Sequence, residues 1–163
     1  MNGLEELRKS FRPDRITTLF VGESAPHSGR FFYCGNSSLF HAMKSVFGGR
    51  ESFLEDFKTM GFYLDDLVLE PVNHLERRER SRLRSESIAG LAERLTEYKP
   101  NAVVVVMRTI KPMAQQAIRK AGFSFEPLCT PHPAFGNWTR FHAAMTAIMA
   151  SLPVTQGSNT KRN

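Results

Sequence analysis

Cysteine is scarce in this chain, with two among 163 residues, Cys34 and Cys129. They lack CxxC spacing, so they indicate neither a zinc site nor a redox dithiol. Two thiols also fall short of the four that hold a typical iron–sulfur cluster. Without a disulfide framework, a reducing cytoplasm is the default expectation. No stretch approaches the roughly 18–20 apolar residues of a membrane span. The opening MNGLEELRKSF is charged and amphipathic, without the apolar centre of a secretory signal. No internal repeat and no interior linker divides the chain, so one domain is expected over residues 1–153. The tail at 154–163, VTQGSNTKRN, is polar and expected to be disordered.

What remains suits a globular protein with a sizeable core, since 41% of the residues are hydrophobic and 23% charged. The net charge of +6 favours an acidic partner such as nucleic acid.

The patterning alternates. Leu4 to Phe11 reads as a short helix, ended by Pro13. Ile16 to Val21 is a strand-forming run. Ser37–Phe47 and Glu51–Met60 are helical by pattern, stopped by Gly48–Gly49 and Gly61. Phe62 to Leu69 reads as a second strand, and Ser85 to Tyr98 as a helix. AVVVVM, Ala102 to Met107, is apolar on both faces, which suits a parallel strand covered on both sides. Ile110–Ala121 is helical, Phe123–Cys129 a weaker fourth strand, and Trp138–Leu152 the last helix. This order predicts a three-layer α/β/α domain around a four-stranded parallel sheet.

Ligands of such sheets bind beyond the carboxyl ends of the strands. The four loops there are GESAPHSGRFFYCGN, EPVNHLERRERSRLR, RTIKP and TPHPAFGNW. They predict a rim holding Glu23, His27, Phe31 to Tyr33, Asn73, Arg108 and His132. A carboxylate, a histidine and aromatic faces in one cleft suit acid–base work on a planar heterocycle.

In ordered landmarks over residues 16–150, the chain resembles the uracil-DNA glycosylase superfamily, closest to its compact mismatch-specific and thermophile-type branches. GESAP, residues 22–26, resembles the first motif, with Gly22 and Glu23 just after the first strand. The aromatics of GRFFYCGN resemble the place where the family stacks a ring on the target base. LDDLVLEP, residues 64–71, resembles the L-T-D-L-V-x-x-P segment of the mismatch-specific branch. TPHPAFGNW, residues 130–138, resembles the His-Pro-Ser second motif. A single such motif arises easily by chance; four in order at strand ends carry more weight.

The resemblance implies hydrolysis of the N-glycosidic bond of uracil or a related damaged base in DNA, as a monomer, with no cofactor and no metal. It implies that Glu23 stabilises an oxocarbenium-like sugar and activates water. It implies that His132 donates to the departing base, that Phe32 or a neighbouring aromatic, Tyr33 included, floors the pocket of a flipped base, and that Phe135 or Trp138 fills the gap in the duplex. Asn36 and Asp66 are further substrate-side candidates, and Arg30, Arg77, Arg78 and Arg80 are candidates for phosphate.

Each has a plainer rival. Glu23 suits a helix cap or a pair with Arg30. His132 suits a turn between two prolines, Asn36 a cap for the helix from Ser37, and the arginine run a solvated helix start. Two departures stand out. Asp66 occupies the place of a base-reading Asn, and an ionised Asp only accepts hydrogen bonds. Ala134 stands where the second motif has serine. A non-catalytic nucleic-acid or nucleotide binder, or a hydrolase of a small nucleoside, are the alternative functions.

Overall fold

The computed structural model describes residues 2–152, so the tail expected at 154–163 lies outside the described residues. The elements in chain order are α1 (Asn2–Ser10), β1 (Thr18–Gly22), α2 (Ser38–Val46), α3 (Phe53–Thr59), β2 (Phe62–Asp66), α4 (Arg77–Glu86), α5 (Ile88–Tyr98), β3 (Ala102–Val105), α6 (Lys111–Lys120), β4 (Leu128–Cys129) and α7 (Trp138–Met149). Two 3-10 turns, Phe32–Cys34 and Arg108–Ile110, follow β1 and β3.

All four strands are parallel, in the order β2-β1-β3-β4. The chain leaves β1 for one edge and returns across it to β3. Right-handed crossovers then put the intervening helices on opposite faces of the sheet. The result is the expected three-layer α/β/α architecture. α5 packs on α6 and α2 on α7.

The centre is dry. Leu19, Phe20 and Val21 of β1 and Val103 to Val106 in and just after β3 are buried, as strands covered on both faces require. Phe20, Phe53, Phe57 and Phe62 meet edge-on or tilted on the α3 side.

Three expected boundaries move. The fourth strand shrinks from Phe123–Cys129 to two residues, because Pro127 has no N–H to give the ladder and Phe123 packs against Phe125 instead. The second strand ends at Asp66; Leu67 and Val68 stay buried, and the chain turns outward only after them, leaving Leu69 half exposed. The arginine run is not a loop before a long helix. It forms α4, a helix in its own right, with α5 following after Ser87. α4 buries no residue, so no apolar period announced it.

Candidate active site

The order reversal between β1 and β3 opens a crevice at the carboxyl ends of the strands. A cleft of about 370 Å³ lies there. It is lined by Gly22 at the end of β1 and Glu23 just after it, Leu64 and Asp66 of β2, Val106 and Met107 after β3, and His132 after β4. Phe31 and Phe32 line it too, with Arg30, Asn73, Arg80 and Phe135.

The ladder continues past the formal strand ends and fixes these positions. Leu67 N–H donates to Gly22 O and Val68 N–H to Glu23 O, both at 2.9 Å. Thr130 N–H donates to Val105 O at 2.9 Å, which holds the stem of the His132 loop. Gly22 permits a close approach, since a Cβ there would lie 2.6 Å from Asp66 Oδ1.

Glu23 is buried, and its partners come from α4 rather than from Arg30 or a helix end. Arg80 Nε donates to Oε2 at 2.8 Å, and its Nη2 pairs with Oε1. Arg84 Nε also donates to Oε2, at 2.5 Å, with its Nη2 against the same oxygen. Residues 80 and 84 are one helical turn apart, so both guanidinium groups reach the same carboxylate.

His132 lies in the turn after β4. Its Nδ1 accepts from Ala134 N–H at 3.2 Å, which leaves the proton of the neutral ring on Nε2. Burial pushes the imidazole below its ordinary value, opposed by the Glu23 charge. The histidine is therefore a neutral donor at pH 7.

Asp66 reaches the cleft from the end of β2, but half of its carboxylate is engaged. Arg8 Nη2 donates to Oδ2 at 2.8 Å and Arg8 Nη1 to Leu64 O at 3.2 Å. Burial raises the Asp66 carboxyl above its ordinary value, and the Arg8 charge opposes this. Asp65 belongs to the same buried group, held by Arg94 Nε at 2.8 Å.

The aromatic triplet divides. Phe32 is buried among Phe40, Phe53 and Phe57 and lines the cleft. Tyr33 does not line the cleft. Its hydroxyl donates to Leu64 O at 3.0 Å and accepts from Leu64 N–H at 2.7 Å. β2 is an edge strand, and Tyr33 satisfies the outward backbone pair that an edge leaves open. Asn36 also stands outside the cleft lining and does not cap α2. Its Oδ1 accepts from Phe31 N–H at 2.8 Å and braces the aromatic turn, while Ser37 is the cap, accepting from Phe40 N–H at 3.1 Å.

Arg30 is exposed at the cleft. Arg77 and Arg78 are exposed on a shallow groove along α4, away from it. Phe135 stands at the cleft fully exposed, in the left-handed region at φ 58°. Trp138 opens α7, is 43% exposed and does not line the cleft. His27 and His74 stack at 4.0 Å on the exposed rim.

No protein-family model and no curated protein matches the chain. Geometry therefore bears the functional weight. Among the described residues no group of three or more His, Cys, Asp or Glu is placed to hold a metal ion, and no helix is long and apolar enough to cross a membrane.

Two participants escaped sequence reading. Arg84 was visible as the i+4 partner of Arg80, but nothing local aimed it at Glu23. Arg8 lay on the apolar stripe of α1 between Leu4 and Phe11, a position that asks for a buried partner.

Proposed function

We propose that this cleft hydrolyses the N-glycosidic bond of uracil or a related damaged base in DNA. The observation that carries the reading is the convergence of Glu23, a neutral His132 and the Phe32 ring on one crevice, from loops far apart in sequence. The basic chain and the exposed Arg30 beside the cleft are consistent with a polyanionic substrate.

In this reading the flipped base stacks over Phe32. The bond from the anomeric carbon to the base nitrogen breaks, and its electron pair leaves with the base. Negative charge gathers on a carbonyl oxygen of the base, where the His132 Nε2–H donates. A donor that is already neutral need not give up its proton to do this. The Glu23 carboxylate stabilises the cationic sugar. It then takes a proton from the water that adds to the anomeric carbon. Asp66 Oδ1 faces the base edge as an acceptor, which suits an imide or lactam N–H. Phe135, held exposed at the rim, is the candidate wedge.

One observation favours a second reading, a nucleic-acid binder without chemistry. Both Glu23 oxygens already carry guanidinium partners. In that case Glu23 is an anchor for arginines rather than a base.

The deciding experiment incubates the protein with labelled oligonucleotides carrying uracil, hypoxanthine, xanthine or mismatched thymine, then cleaves abasic sites with alkali. Strand scission at one of these bases is the expected outcome. Binding to all of them with no scission selects the second reading.

A further inference from the structure

The α4 arginines and Glu23 form a unit whose charges do not balance. Two guanidinium groups face one carboxylate, leaving one positive charge in excess on the cleft wall. Arg82 pairs with both Glu79 and Glu86, but Arg77 and Arg78 extend the same run, so five arginines against Glu76, Glu79, Glu86 and Glu23 still leave one positive charge in excess. Arg80 lines the cleft, and its Nε and Nη2 are the nitrogens bonded to Glu23. Its Nη1 carries no hydrogen bond among the described residues. The two arginine side chains keep 27% and 15% of their exposure, so water and small anions can reach them.

A carboxylate bonded through both oxygens to an arginine fork has the geometry of a bidentate phosphate contact. We propose that Arg80 and Arg84 form a phosphodiester subsite of the cleft, and that Glu23 occupies it as an internal stand-in until nucleic acid binds. The incoming phosphate takes over the guanidinium groups of Arg80 and Arg84, and the Glu23 carboxylate is released toward the cleft. No covalent bond changes in this exchange. One ion pair replaces another, and the excess positive charge makes the exchange favourable for an anionic ligand. The released Glu23 rests on the glycosylase reading; the phosphate subsite does not.

The arrangement gives a sign that a purely structural ion pair lacks. If Glu23 competes with phosphate, removing its charge tightens binding. The probe is a fluorescein-labelled single strand of undamaged sequence, titrated at several salt concentrations. Glu23→Gln should tighten binding about tenfold. It should also steepen the dependence of log affinity on log salt by about 0.7, the increment for one added phosphate contact on a single strand. Arg80→Gln should weaken binding, and Glu23→Gln combined with Arg80→Gln should fall back to the level of Arg80→Gln alone. A folded Glu23→Gln protein with unchanged affinity and salt slope overturns the proposal.

A second measurement uses the unsubstituted protein and so survives a variant that does not fold. The Arg80 Nε–H resonance, assigned by through-bond correlation to its own backbone amide, should shift on adding the oligonucleotide and shift with inorganic phosphate only at much higher concentration. A resonance unmoved by either overturns the subsite. Saturation by inorganic phosphate at the lower concentration overturns the nucleic-acid assignment in favour of free phosphate. Because the probe carries no damaged base, these results are separate from the base-release assay, and either can fail alone.

Discussion

Two carboxylate–arginine clusters sit at neighbouring strand ends, and their surroundings set them apart. Asp65 and Asp66, at the end of β2, meet Arg8 and Arg94 beneath the sheet edge. The Arg8 side chain is 3% exposed, and it also bonds Leu64 O and lies 5.0 Å from the centre of the Phe31 ring. Glu23, just after β1, meets Arg80 and Arg84 from a helix with no fully buried residue, which touches the core only through half-buried Leu83. The first cluster ties α1 to an edge strand and has nowhere to go. The second joins a cleft residue to a helix whose two arginines keep part of their side chains in reach of water. The carboxylates are alike, Glu23 at 7% and Asp66 at 8% exposed, and the difference lies in one arginine of each cluster, Arg8 sealed at 3% and Arg80 reached by water at 27%.

The sharpest test of that contrast compares the two arginines. Arg8→Met leaves two buried carboxylates short of a partner and should lower the unfolding free energy by about 3–5 kcal/mol. Arg84→Met leaves Glu23 its Arg80 partner and should cost less, about 1–2 kcal/mol. Urea unfolding at pH 7 measures both. Equal losses would erase the distinction between the clusters.

Tyr33→Phe sharpens the same picture from the edge-strand side. It removes the partner of both Leu64 N–H and Leu64 O, although Arg8 still bonds the carbonyl. The expected loss is about 1–3 kcal/mol in the same unfolding assay, with base release per folded molecule unchanged. A change in release with no change in stability would return Tyr33 to the cleft.

Asp66 belongs to the cohesive cluster yet shows one oxygen to the cleft. Asp66→Asn supplies a donor beside an acceptor and should raise excision of uracil relative to hypoxanthine on the order of tenfold. Single-turnover rates on the two bases give the ratio. An unmoved ratio assigns Asp66 to cohesion alone.

The smallest effect concerns pH. His132 is depressed by burial in the folded state, so the unfolded chain binds its proton first as pH falls. Stability should therefore decline as pH drops through about 6.5, the ordinary histidine value, and the His132→Gln protein should lose that part of the decline. Unfolding free energies at pH 7.5 and 5.5 check it.

The sheet was legible in the sequence because β1 and β3 are buried on both faces, and burial leaves an unbroken apolar run such as AVVVV. Glu23, His132 and Phe32 were placed at strand ends for the same reason, and they meet. The rest failed where a residue's role depends on a distant partner. Tyr33 and Phe32 are adjacent and chemically alike, yet only tertiary structure sends one ring to the cleft and the other hydroxyl to Leu64. Arg80 looked like Arg77 and Arg78 in a run of like charges. Its orientation toward Glu23, 57 residues away, separates it from them. α4 carries no apolar stripe, so periodicity had nothing to read.

The central claim is that Glu23 acts on a glycosidic bond in this cleft. Its most direct test is single-turnover base release from an oligonucleotide carrying the preferred base, comparing the unsubstituted protein with Glu23→Gln. The substitution keeps the shape and removes the charge beneath the cationic sugar. Release should slow by about 10²–10³-fold while oligonucleotide binding is kept or tightened. Equal release rates from two folded proteins would contradict the account and leave Glu23 as an anchor for its arginines.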